Sequence, residues 1–198
     1  MEQGLLRNSA MPPVRILCLF LIFSCATAFA RIGETALQFV TRYGPPKDTP
    51  GSRSYDKNFP ILEGAMHHTY EYQGWKIRAA FLQLDGPAVR MEYSKLGTSP
   101  RITDYELEAI MTANTPVGIT WKQVPYDNPD LQSKGLSKLA QSYFAGALGE
   151  KMWQRSDGAI LWLRSNLIVR LELPIAREYE AKLKAEKEQK ARASVPQF

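Results

Sequence analysis

Val89-Arg90-Met91-Glu92-Tyr93 and Val169-Arg170-Leu171-Glu172-Leu173 are two copies of one pattern, Val-Arg-apolar-Glu-apolar, and they decide the reading of the chain. Apolar and charged residues alternate in both, which is the period of a strand buried on one side. Two further strand candidates precede each copy. In the first, Met66, His68, Tyr70 and Tyr72 alternate with His67, Thr69 and Glu71. Gln73-Gly74 then turns the chain into Trp75, Ile77, Ala79 and Phe81 on one face, with Lys76 and Arg78 on the other, before Asp85-Gly86 leads on to Val89. In the second, Lys151–Arg155 turns at Asp157-Gly158 into Ala159–Arg164, which passes Ser165-Asn166 to reach Val169. Each half therefore reads as a three-stranded antiparallel meander. The alternation places Val89, Met91, Tyr93, Val169, Leu171 and Leu173 in a core and leaves Arg90 in water.

A helix precedes each meander, and both share a start signal. Thr35-x-x-Gln38 and Thr103-x-x-Glu106 fit the capping box, in which the Thr hydroxyl satisfies one orphan backbone amide and the partner side chain satisfies another. Leu37, Val40 and Tyr43 are expected to line the first helix, which stops at Gly44-Pro45-Pro46. Leu107, Ile110, Met111 and Asn114 line the second, which stops before Pro116. The fold expected is α+β: two tandem α-β-β-β modules with antiparallel sheets, over residues 31–100 and 101–173, followed by a charged C-terminal helix and tail over 174–198. A shorter helix is expected at Leu136–Phe144, between polar loops at Lys47–Pro60 and Gly118–Lys134. In the last helix Ile175, Tyr179 and Leu183 recur every four residues and face the body. The remainder projects into water with Glu178/Lys182, Glu180/Lys184, Glu186/Lys190 and Glu188/Arg192 spaced for i,i+4 pairing.

Residues 1–30 read as a secretory signal. Arg7 and Arg15 make a positive start, Ile16–Phe23 an apolar stretch, and Ala28-Phe29-Ala30 a small-x-small cleavage site before Arg31. The apolar stretch is shorter than the roughly 20 residues that span a bilayer, so no integral span is expected after cleavage. A minority alternative is lipidation, since Ile22-Phe23-Ser24-Cys25 matches a lipobox at three positions and would leave Cys25 as the first mature residue. Both cysteines, Cys18 and Cys25, lie in this segment, so an exported form would hold its fold by burial without a disulfide. The whole chain carries a net charge of +5, and its cations are interleaved with acids, which argues against a nucleic-acid partner.

Ile32-Gly33-Glu34-Thr35, Val40 and Arg42-Tyr43-Gly44-Pro45-Pro46 resemble the opening of the small lipoproteins of the bacterial β-barrel assembly machinery, where a Gly-x-Thr motif and a helix end on Gly-x-Pro. The tandem arrangement is similar to that of β-lactamase-inhibitor-protein-like α+β modules, and the same opening recurs in uncharacterised exported bacterial proteins. The resemblance implies tandem helix-plus-sheet modules and an envelope setting; its Gly, Thr and Pro are also what helix capping requires.

Chemistry-bearing groups are few. His67 and His68 are the only histidines, and neighbours along a strand point to opposite faces, so they do not share a metal. Glu71 shares a face with His67 but lies about 13 Å along the strand. No metal, cofactor or catalytic residues are expected. Tyr70, Tyr72, Trp75 and Phe81 in the first module, and Trp121, Trp153 and Trp162 in the second, are either core or a binding surface, and core packing is favoured. Trp162 and Ile168 lie out of phase with Leu161, Leu163, Val169 and Leu171. The second sheet is therefore apolar on both sides, its second face meeting the first module, the C-terminal helix or a partner. The leading expectation is an exported, periplasmic or secreted, non-enzymatic binding protein whose partner is a protein or envelope component. The alternative is an exported hydrolase working through carboxylates that no motif singles out.

Overall fold

Residues 31–47, 60–98, 100–125 and 151–194 are described by a computed structural model of the chain. The elements run α1 (Ala36–Tyr43), β1 (Met66–Tyr72), β2 (Trp75–Phe81), β3 (Ala88–Lys95), α2 (Asp104–Ala113), β4 (Trp121–Val124), β5 (Lys151–Arg155), β6 (Ile160–Arg164), β7 (Ile168–Glu172) and α3 (Pro174–Ala193). The fold is α+β. The leader, Cys25 and the expected helix at Leu136–Phe144 lie outside the described residues.

The strands form one antiparallel sheet in the order β1-β2-β3-β7-β6-β5-β4. The two repeat strands, β3 and β7, are its adjacent centre, so the two meanders are halves of a single sheet rather than separate sheets. Their register is self-complementary: Met91 lies opposite Leu171, Arg90 opposite Glu172 and Glu92 opposite Arg170. A local two-fold axis through the sheet, between Met91 and Leu171, thus exchanges one copy of the pattern for the other.

The turns have the chemistry their hairpins need. Gln73 and Gly74 both take positive φ (47° and 81°), as do Ser165 and Asn166 (52° and 53°), matching the twist of paired strands. The second half holds one strand more than its sequence suggests. Trp121–Val124, expected to be loop, pairs with β5 from Trp121↔Arg155 to Val124↔Met152. Four residues, two of them polar, are too few to show a period, and a strand that short is defined by its partner.

Both capping boxes form as expected, with the Thr35 and Thr103 amides donating to Gln38 and Glu106 at 2.7 and 2.8 Å. In α2 the face is as read, Leu107, Ile110 and Asn114 being buried and Met111 half-buried. In α1 it is rotated. Phe39 and Tyr43 are buried, while Leu37 is 74% exposed and Val40 also faces out. Phe39 and Tyr43 are an i,i+4 pair of large rings that pack on Tyr70 (centroids 5.4 and 5.8 Å), and their greater apolar area takes the core side.

Both α1 and α2 cover the first face of the sheet, over Ile77, Ala79, Phe81, Met91, Tyr93, Leu161, Leu163, Val169 and Leu171. The second face is where expectation fails. Arg90 is not in water but 3% exposed, because α3 folds back over it. Ala176 packs with Ala80, Val89, Ile61 and Leu62, and Tyr179 joins them. Ile175, expected on this face, is half exposed, since the small Ala176 allows the closer approach to the sheet. Tyr179 and Leu183 lie over Gly64, whose φ is +76° and whose missing Cβ would fall 2.5 Å from the Tyr179 hydroxyl. Past Leu183 the helix is exposed, as its composition dictates.

Met91→Ala and Leu171→Ala should each destabilise by about 2–5 kcal/mol as buried large-to-small changes. Arg90→Ala, an exposed-site change on the alternation alone, should lose about 3–5 kcal/mol because it breaks a buried pair and leaves Glu172 only the longer, 3.4 Å contact with Arg177. Denaturant midpoints of the three variants test this, and a silent Arg90→Ala would refute the docked position of α3.

Candidate functional site

The histidines lie on opposite faces of β1. His67 Nε2 accepts from the Leu62 amide at 3.2 Å, and His68 Nδ1 is 3.1 Å from the Tyr70 hydroxyl with its ring 5.3 Å from Phe81. Each is thus engaged in packing its own face, and Glu71 is exposed. Among the described residues there is no group of three His, Cys, Asp or Glu side chains placed to hold a metal.

The aromatics divide between the two faces. Tyr70 and Phe81 are fully buried in the first-face core, and Tyr72, Trp75, Trp121 and Trp153 pack against it half-buried. Burial pushes the Tyr70 phenol up to about 12 and raises Tyr43 and Tyr93 further. Tyr93 also accepts a hydrogen bond from Asn114, which works against that rise. These phenols stay neutral in any ordinary buffer and act as packing groups. Trp162 alone is on the second face.

Two polar hubs carry no motif. Asn114, expected only as part of a helix face, ends α2 and ties the modules together. Its Oδ1 accepts from the Ile32 amide at 2.8 Å, its Nδ2 donates to the Tyr93 hydroxyl at 3.2 Å, and its carbonyl accepts from Arg155. Arg155 is buried, lies 5.5 Å over the Trp121 ring and makes a two-pronged pair with Asp157 at 2.8 and 2.7 Å. A buried Asn and a buried Arg show in sequence only as polar letters beside apolar ones.

The second face carries the charge. Glu92 accepts from Arg78 Nη1 at 3.0 Å and from Arg170 Nε and Nη2 at 2.9 and 2.5 Å. Across the local two-fold, Arg90 meets Glu172 at 2.9 Å and Glu180 of α3 at 2.8 Å, and donates to the Ile61 carbonyl at 2.8 Å. Burial opposes charge on Arg90, but Glu172 and Glu180 outweigh it and raise its pKa. Glu180 therefore turns inward rather than pairing with Lys184 along the helix. Arg177 of the same helix reaches Glu172 at 3.4 Å and the Gly158 carbonyl at 2.8 Å.

The two halves differ in cover. The Arg90 side chain is 4% exposed, whereas its two-fold counterpart Arg170 is 25% exposed. Beside it Arg164 is exposed, and the guanidinium groups of Arg164 and Arg170 lie 5.7 and 5.8 Å from the Trp162 ring. The arrangement is suited to holding an anion through planar, multidentate donors.

No protein-family model, curated protein or solved structure matches the chain. Among the described residues no helix is long and apolar enough to cross a membrane.

Two carboxyls give the fold an acid limit. The hydrogen bond from Arg155 holds Asp157 below the usual carboxylate value, and the Thr103 amide does the same for Glu106. A depressed folded-state pKa stabilises above the ordinary carboxylate range, and that contribution disappears as the pH falls through it. Urea midpoints should therefore drop between about pH 5 and about pH 2, and Asp157→Asn should flatten part of the drop. A fall of equal size in the variant would remove Asp157 from the account.

Proposed function

We propose that the protein is an exported, non-catalytic binding protein that engages a protein or envelope component through the second face of its sheet. The observation that carries this reading is the uneven cover of that face. One Arg–Glu pair is sealed under α3, while in the equivalent pair Arg170 keeps a quarter of its side chain exposed beside the exposed Arg164. The leader-like residues 1–30 and the opening motif at Ile32–Pro46 support an envelope setting. The buried carboxylates Glu92 and Glu172 are each gripped by two guanidinium groups, a state suited to holding structure rather than to passing protons. That weighs against hydrolysis.

Intact mass of the protein from its native host should show a chain starting at Arg31 without lipid. A diacylglyceryl group on Cys25 would replace the freely exported form with an anchored one, and an uncleaved leader would overturn the export reading. Photo-crosslinking from the second face in the native envelope should recover a specific partner. Turnover of an ester, glycoside or peptide substrate that Glu92→Gln abolishes without unfolding the protein would overturn the non-catalytic assignment.

A further inference from the structure

We infer that His67 is a pH-sensitive pin for α3: proton uptake by its ring in mild acid unfastens the turn at 61–64 and loosens the helix from the second sheet face. The inference concerns regulation and does not rest on the binding function proposed above. It begins with one hydrogen bond. His67 Nε2 accepts from the Leu62 amide at 3.2 Å, across a turn in which the Ala65 amide donates to the Leu62 carbonyl at 3.3 Å. A ring nitrogen accepts only while it is unprotonated, and the charged ring has two donors and no acceptor. A backbone amide can only donate. Leu62 is 1% exposed, so its amide is shielded from water when the ring is charged, and a buried donor left unpaired is costly. His68 differs. Its partner is the Tyr70 hydroxyl, which donates or accepts, so His68 keeps a hydrogen bond in either charge state.

Beyond its first turn, α3 docks on this same stretch of chain. The Ile61 carbonyl accepts from Arg90 Nη1 at 2.8 Å, and Arg90 in turn holds Glu180 of the helix at 2.8 Å. Ile61 and Leu62 pack with Ala176, Ala80 and Val89, while Tyr179 and Leu183 lie over Gly64 and Lys187 pairs with Glu63. The start of the helix is held separately, by Arg177 on Glu172 and on the Gly158 carbonyl. A loosened turn therefore leaves α3 tethered near Arg177 and lets Tyr179–Lys187 lift, which uncovers Arg90, Ala80 and Val89.

The charges around the turn are balanced. Among the described residues, Glu63 of the turn and Glu180 of α3 stand against Arg90 of β3 and Lys187 of α3, and Glu172 and Arg177 add one of each sign. On β2 the residue opposite His67 is the neutral Ala80, and Arg78 is turned to Glu92; on β1 itself Glu71 is exposed. The hydrogen bond therefore sets the sign. Docking is supported while the ring is neutral and loses that support as the pH falls through the range in which histidine takes up a proton, about pH 6–7. This window lies above the one in which Asp157 and Glu106 act. Losing a bond to a buried amide shifts the docking equilibrium by about tenfold.

The test is hydrogen exchange followed by NMR at about pH 7.5 and about pH 5.5, with the His67 ring signals recorded on the same samples. Protection of the α3 amides at Tyr179–Leu183, corrected for the intrinsic pH dependence of exchange, should fall by about tenfold as the ring takes up its proton. His67→Gln keeps an acceptor at similar reach and cannot titrate, so its protection should change by less than about twofold. His68→Gln should keep the native fall. A ring that stays neutral at about pH 5.5, or native protection that holds while the ring is charged, would overturn the inference. So would an undiminished fall in His67→Gln, or a fall abolished by His68→Gln. Should His67→Gln fail to fold, the native titration decides alone. The Leu62 amide and Tyr179 ring signals should then move with the midpoint of the His67 ring, and signals that stay put through that midpoint would overturn it.

Discussion

The structure depends on the pairing of β3 with β7, where one five-residue pattern meets itself. Because the strands are antiparallel and Met91 sits opposite Leu171, every Arg of one copy falls opposite a Glu of the other. A slip of one residue would turn the apolar set to the wrong face. A slip of two would keep the faces but set Arg90 against Arg170, or Glu92 against Glu172, and like charges directly opposed destabilise a sheet. Apolar alternation and charge order therefore select a single register, and that register makes two meanders into one sheet.

Burying these ions has a desolvation cost that geometry must offset, and each carboxylate answers it with two guanidinium groups. Such pairs add less to net stability than apolar packing does, but they are unforgiving of rearrangement. The first-face core of Phe39, Tyr70, Phe81, Met91, Ile110 and Leu171 supplies the burial, and the second-face ions specify how the halves meet. The α3 helix belongs to this second layer. Ala176 contributes close contact, and Arg177 and Glu180 each bond a member of the sealed pair, so the charged helix is anchored at its start; beyond Leu183 it is exposed, and Lys187 still pairs with Glu63.

On the second face the near-symmetry is broken by α3, which covers Arg90 and not Arg170. The chain after β3 leads to α2 on the first face, whereas the chain after β7 folds onto the second. One pair is closed under α3, and in the other Arg170 stays a quarter exposed.

Much of this was legible from local chemistry. The strands of both meanders, their hairpin turns, the two capping boxes and the opposed histidines all follow from interactions within a few residues, which sequence records directly. The reading of Tyr70 and Phe81 as core follows from alternation, which already separates the two sides of a strand. The face of α1, the strand at Trp121–Val124, the hub at Asn114 and the burial of Arg90 were not legible, because each is set by a partner distant in the chain. Arg90 shows the limit most clearly. Its neighbours give the period of a half-exposed strand, and the period is real, but water is displaced from its side by a helix starting 84 residues later, and only the folded chain decides which of two equivalent arginines that helix covers.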